Sequence, residues 1–330
     1  MRRAGVFAAL VVACGARTGL DVVRATDAGT PHEAGVDAQP DVAKACPPAP
    51  TPTVLASFDE GDAWLQIAQD DAYVYWTTWL SGDQSVRRVK KCGGTPEVLV
   101  SNQLAPSSIV VDDANAYFGE NVVSGGAVRS VPKAGGAATD VAPIDGSRFL
   151  VLDGSTLYSS SFTGVVSVPA GGGATTLLAA GTFGALAVDA TTVYVHADSS
   201  IVSIPKLGGA PVALAPSPSQ GAILVDGDTI FYSGWVSDDD GFVRALTNGA
   251  VSSLAEGLAL PTGIAFDAKR VYWVEQGPDL GDGTLSSVPR AGGASTVLAT
   301  GQDRPEALVA DATSRYWIDF GGQLMKVDKP

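Results

Sequence analysis

The chain is poor in the side chains that do most enzyme chemistry. Only two of its 330 residues are His, two are Met and three are Cys. Metal centres and general acid–base pairs draw mainly on His, Cys and clustered carboxylates. His32 and His196 are far apart in sequence. No Ser–His–Asp set assembles, and no glycine-rich loop follows a strand and opens a helix to hold phosphate. The cysteine spacings do not resemble a zinc site. Positive charge is also scarce: 21 Lys and Arg stand against 35 Asp and Glu, a net charge of −14. That excludes nucleic acid, whose phosphates require clustered cations. The one basic run, Val86-Arg87-Arg88-Val89-Lys90-Lys91, reads as the solvated face of a strand. The first apolar run, Val6 to Val12, is far short of the ~20 residues that span a bilayer.

What the chain has instead is glycine (39), proline (20) and 45% hydrophobic residues, the profile of many short strands joined by tight turns. An Asp followed five residues later by Tyr or Phe recurs along it. The Asp residues are Asp70, Asp112, Asp153, Asp189, Asp226, Asp267 and Asp311. The partners are Tyr75, Tyr117, Tyr158, Tyr194, Phe231, Tyr272 and Tyr316. The period of about 40 residues is that of a propeller, solenoid or array. Each unit reads as four strands, A to D. In the second, Ile109-Val110-Val111 is A, Ala116-Tyr117-Phe118 is B, Ala127 to Val131 is C and Thr139 to Ala142 is D. The Asp caps the A–B turn through its own backbone, and the aromatic packs between units. Pro132-Lys133-Ala134-Gly135-Gly136 and its equivalents form the C–D turn.

The last unit has A, B and C strands but no D, whereas Thr53-Val54-Leu55-Ala56-Ser57 precedes the first A strand and matches a D. The expectation is an all-β, seven-bladed β-propeller of four-stranded blades. Residues 53–57 complete its last blade and remove an open edge. The B strands Val74-Tyr75-Trp76-Thr77, Val271-Tyr272-Trp273-Val274 and Arg315-Tyr316-Trp317-Ile318-Asp319 resemble the repeat of YWTD propellers, a look shared with NHL and TolB-like groups. The resemblance covers residues 53–330 and implies the fold, although YWTD and NHL propellers usually have six blades.

Ahead of the repeats, Arg2 and Arg3 followed by the short apolar run read as a signal peptide, residues 1–13. Val11-Val12-Ala13-Cys14 resembles the lipobox of bacterial lipoproteins. That resemblance implies cleavage before Cys14 and lipid on its thiol; the alternative is an ordinary signal peptide. Residues 14–52, acidic and rich in Pro and Ala, read as a disordered tether. If Cys14 is lipidated, Cys46 and Cys92 remain, either as one disulfide in an oxidising compartment or as two free thiols.

Topology sorts the loops onto two faces. The A–B and C–D turns repeat nearly unchanged, whereas the B–C and D–A loops vary, and variable loops are where function is usually carried. The variable face holds the candidates Trp79, Arg148, Trp235, Glu275 and Arg304, with Glu120 and Glu306 nearby. Asp238, Asp239 and Asp240 in one B–C loop, with Asp279 and Asp282 in the next, are either solvated loops or ligands for Ca2+, the one cofactor the sequence suggests. No catalytic residue is assigned. The expectation is an exported protein, lipid-anchored to the bacterial envelope at the outer membrane. Its propeller would bind an envelope protein or polysaccharide and meet the membrane only through its lipid. The alternative is a hydrolase or lyase of the lactonase or streptogramin-lyase type, with His196 and nearby carboxylates at the central mouth.

Overall fold

A computed structural model describes residues 46–58, 66–79, 83–219 and 221–329. Residues 1–13, Cys14, His32 and Trp64 lie outside them. The described strands form seven separate four-stranded antiparallel sheets. Blade one runs Ala68–Gln69, Tyr73–Thr77, Val86–Lys90 and Glu97–Val100 as strands A to D. Blade two runs Pro106–Val111, Asn115–Glu120, Ala127–Pro132 and Thr139–Pro143. Blades three to six occupy residues 149–180, 183–216, 223–258 and 261–302. Blade seven takes Pro305–Ala310, Ser314–Asp319 and Gln323–Asp328 from the end of the chain and Thr53–Ser57 from its start. Thr53 lies opposite Lys326 and Ser57 opposite Gln323, so the predicted closing strand is in place. This is a seven-bladed β-propeller.

The core sits between blades. Tyr75 packs in one cluster with Ile109, Phe118 and Val131 of blade two, whereas its neighbour Trp76 packs with Tyr316, Ile318 and Leu324 of blade seven. Alternation along strand B thus sends successive aromatics to opposite neighbours. Tyr272 and Trp273 divide in the same way between blades seven and five.

The repeated Asp acts as expected in part of the ring. Asp70 Oδ1 accepts from the amides of Ala72 and Tyr73, both at 2.8 Å. Asp112, Asp189, Asp267 and Asp311 repeat that cap. Asp153 and Asp226 use a different turn, in which Gly154 and Gly227 adopt positive φ of 57°. There a two-residue hairpin pairs Asp153 with Thr156 and Asp226 with Thr229.

The second Asp oxygen serves a role that packing alone does not explain. The Tyr five residues on donates its hydroxyl to it in blades one, two, four, six and seven, at 2.5 to 3.2 Å. A cation from the C–D turn of the next blade then reaches the same carboxylate. Lys133 lies 2.8 Å from Asp70, Arg290 2.6 Å from Asp226 and Lys329 2.6 Å from Asp267. Lys206 pairs with Asp153, and Lys91 pairs with Asp311 across the seam that closes the ring. Each cation also lies over the aromatic of that neighbour, as Lys133 does over Tyr75 at 5.5 Å. At the equivalent turn position blade three has Ala170 and blade five has Asn248, so Asp112 and Asp189 are not paired with a turn cation.

These contacts correct the reading of the basic run. Val86 and Val89 are buried, and Arg87 and Arg88 are held by Asp83 and Glu97. Lys91, buried at 7% exposure, is a clamp between blades. Residues 46–52, given to the tether by composition, are docked on the body. Cys46 is disulfide-bonded to Cys92, and Ala49 exchanges two hydrogen bonds with Asp328, at 2.6 and 2.8 Å.

Candidate functional site

The B–C and D–A loops gather on the face opposite the Asp–Tyr–Lys clamps, around the inner A strands. The central passage is crossed there by a side chain. The Gln66 amide group pairs with the backbone C=O and N–H of Leu150, two blades away, at 3.4 and 3.3 Å. Buried hydroxyls line the blade junctions beside it. Thr77 donates to the Ser107 carbonyl at 3.0 Å, Ser107 to the Ser147 carbonyl at 2.6 Å, and Ser147 and Ser159 share a bond of 2.8 Å. This network satisfies backbone groups that would otherwise be buried without partners. It contains no activated nucleophile.

His196 lies on strand B of blade four, 1% exposed. Burial drives its imidazole down to about 4, only partly opposed by the backbone at Ala222. Neither ring nitrogen makes a well-formed hydrogen bond. It is a neutral side chain enclosed at a blade junction and is not open to the mouth. Glu306, on strand A of blade seven, is pushed up to about 7 by burial. Asp319 is pushed up to about 6 by burial, against the Gln323 amide that it accepts and with Asp303 adding to the rise. Glu120 and Glu275 end their B strands and accept from the D–A loops, Glu120 from the Leu104 amide and Glu275 from the Ala259 amide. Glu275 also accepts from Trp273 Nε1 at 2.9 Å and Thr284 Oγ1 at 3.2 Å. Its oxygens hold the loop in shape.

The other predicted residues spread around the rim. Trp79 and Trp235 are half-buried at the edges of their B–C loops, and Arg148 and Arg304 are half-buried in D–A loops. Arg148 lies over the Phe149 ring at 6.0 Å, and Arg304 holds a positive φ of 48°. Asp238, Asp239, Asp240, Asp279 and Asp282 are in or beside the loops expected, and all are exposed. Among the described residues no group of three or more His, Cys, Asp or Glu is arranged to hold a metal.

Sequence reasoning missed the apolar loop tips. Val123, Phe162, Val236, Leu280 and Phe320 are exposed by 42 to 84% in the B–C loops of blades two, three, five, six and seven, and Leu104 is 54% exposed in a D–A loop. They are scattered through separate loops of the sequence, and only the ring brings them onto one face. On the opposite face a cavity of about 400 Å3 lies beneath the docked segment, lined by Pro48, Pro50, Leu298, Arg315 and Lys329.

No family's sequence model matches the chain, and no curated protein matches it. Solved structures do match its shape. Virginiamycin B lyase from Staphylococcus aureus superposes with a TM-score of 0.69 at 9% identity, covering 85% of this chain and 99% of that one. The WD40 propeller domain of Doa1 gives 0.64 at 11% identity, covering 84% and 96%. YCF48, solved bound to a D1 peptide, gives 0.62 at 10%, covering 86% and 99%. A lyase, a WD40 domain and a peptide-bound propeller at these identities share an architecture, which a propeller lends to many functions.

Proposed function

We propose that this protein is a non-catalytic binding scaffold, held at the bacterial envelope by lipid on Cys14. It recognises a protein or envelope polysaccharide through its B–C and D–A loops. The observation that carries the reading is the set of apolar tips on one face. Single exposed apolar residues are ordinary on a protein surface. Tips presented from the B–C loops of blades two, three, five, six and seven make a repeated surface feature of the kind that marks interaction sites. The opposite face is occupied by ion-paired clamps, and its exposed apolar residues are Leu207 in a turn and those such as Val212 and Val297 at the turn ends of the outer D strands. A hydrolase or lyase reading rests on His196, and enclosure of both its nitrogens weighs against it.

The test is crosslinking in the native envelope. A specific partner should be captured by the parent protein and lost from the Phe162→Ser/Phe320→Ser variant. It should be retained by Val251→Ser, which alters an apolar residue 45% exposed on the outer strand of blade five. Equal capture by all three proteins would refute the face assignment. Cys14→Ser should move the protein to the soluble fraction, and unchanged membrane attachment would refute the anchor.

A further inference from the structure

The two faces differ in how far their carboxylates are neutralised, although Asp112, Asp113, Asp189 and Asp228 on the clamp face are in no salt bridge among the described residues. On the A–B and C–D face, Asp70, Asp153, Asp226, Asp267 and Asp311 are each ion-paired with a Lys or Arg of the next blade. On the loop face the exposed aspartates, Asp145, Asp198, Asp238, Asp239, Asp240, Asp279 and Asp282, are in no salt bridge among the described residues. The cations of the described loops there are Arg148 and Arg304, both half-buried. The loop face therefore carries negative charge that the fold does not neutralise.

The acids and the apolar tips share the same loops. Val236, 67% exposed, precedes Asp238-Asp239-Asp240, and Leu280, 63% exposed, stands between Asp279 and Asp282 on the next blade. Phe162 packs across Gly146, the residue after Asp145. The Phe320 amide donates to the Asp303 carbonyl at 2.8 Å. An apolar tip beside an acid in no salt bridge thus recurs at blades three, five and six. Apolar contact supplies the driving force for association, and an unneutralised field of one sign selects the partner's charge and speeds its arrival. The side chains that satisfy both features are Lys and Arg, whose apolar stems lie along a hydrophobic surface while their charged heads reach a carboxylate. An acidic polysaccharide or anionic lipid surface would meet repulsion there, and a neutral glycan would leave the carboxylates unanswered.

We infer that the loop face docks a cationic, amphipathic segment of another protein, one in which Lys or Arg alternates with apolar residues. This rests on the loop face being the binding face, and the experiment separates the two ideas. The probes are two synthetic peptides of equal length and equal Leu and Trp content, one with Lys and one with Glu at its charged positions. Their binding to the full chain is measured by fluorescence anisotropy. The Lys peptide should bind, weakening by about tenfold or more as salt rises from about 50 to about 500 mM, because exposed charge pairs are screened. Asp238→Asn/Asp239→Asn/Asp240→Asn should weaken it by at least about fivefold. Asp71→Asn/Asp113→Asn/Asp228→Asn, which changes residues exposed in A–B turns on the opposite face, should leave it unchanged and so controls for general acidity. Phe162→Ser/Phe320→Ser should weaken both probes.

If that last variant abolishes binding while salt and the Asn substitutions do nothing, the loop face stands and the charge preference falls. If the Glu peptide binds better once Ca2+ is added, the aspartates bridge a metal to an anionic partner and the inference is overturned. If the control variant weakens the Lys peptide as much as the loop variant does, attraction is general and both ideas fail.

Discussion

At the residue scale, the repeated Asp is a joint between blades as much as a turn cap. Burial alone would raise the Asp311 carboxyl, yet the Lys91 ammonium and the Thr313 and Ser314 amides hold it at about 2. Burial, and after it the Asp189 carboxylate to which it donates, push the Tyr194 hydroxyl up to about 12. Asp112 has the turn and the Tyr but lacks the cation, because Ala170 occupies the position of Lys133 and Lys206. The Ala170 amide still donates to the Ser155 carbonyl at 2.8 Å, as the Lys206 amide does to Thr191 at 2.9 Å. The backbone is thus already placed for a lysine. Ala170→Lys should stabilise the protein by about 0.5 to 1 kcal/mol, read from urea unfolding, with the gain shrinking in about 1 M salt. No gain at low salt would mean that the clamp adds nothing to the packing around it. His196 gives a second test. Its folded value of about 4 lies below the ordinary 6.5 of an unfolded histidine. Between these values the unfolded state binds more protons, so stability falls as pH drops from about 6.5 to about 4. His196→Leu should remove that part of the slope, and a wild-type-minus-variant difference that is flat across the window would rule out a buried neutral imidazole.

At the scale of strands and turns, the fold was legible because each signal is local and repeated. The Asp turns, the Pro-x-x-Gly-Gly hairpins and the short apolar strands all fall within a few residues, and the surplus strand at 53–57 follows from counting. The clamps were not legible as clamps. Lys133 meets an Asp 63 positions earlier (133 − 70) and Lys329 one 62 positions earlier (329 − 267). That pairing exists only once adjacent blades stack. The loop-face tips were hidden for the same reason: Phe162 and Phe320 are unremarkable until the ring puts them on one face. The disulfide adds an element-scale test. Cys46 precedes the closing strand and Cys92 belongs to blade one, so the bond spans the seam between the two ends of the repeat array, beside the Lys91–Asp311 pair. It closes a loop with a sequence separation of 46. Cys46→Ser/Cys92→Ser should cost about 2 to 4 kcal/mol while leaving the strand register intact. Reductant should lower the wild-type unfolding midpoint and leave the variant's unchanged. A midpoint insensitive to both would place the strength of the seam in its apolar cluster of Leu55, Trp76, Tyr316 and Leu324.

At the scale of the molecule, the fold sends both ends of the described body from one face and presents the proposed recognition loops on the other. The docked segment is tied at Cys46 to the C–D turn of blade one, and Lys329 lies at the equivalent turn of blade seven. Both ends of the described body therefore leave from the clamp face, with the apolar and acidic loops opposite. An anchor moved from the N-terminus to the C-terminus would keep the loops pointing the same way, so such a swap does not test orientation. Attachment through a loop does. A cysteine placed at Ser237, exposed between Val236 and Asp238, fixes the protein to a surface with its loop face inward. One added after Lys329 fixes it with that face outward. The Lys-rich amphipathic peptide should bind protein immobilised through the C-terminus and fail to bind protein immobilised through position 237. Both forms should show the same unfolding midpoint, so that a lost signal reports orientation and not damage. Equal binding in both orientations would move the docking surface to the outer strands, where Val54, Val98, Leu177, Val212, Val251 and Val297 present an exposed apolar residue from the D strands. The recognition surface would then be the rim of the ring, and the proposed lipid anchor would no longer dictate which partners can reach it.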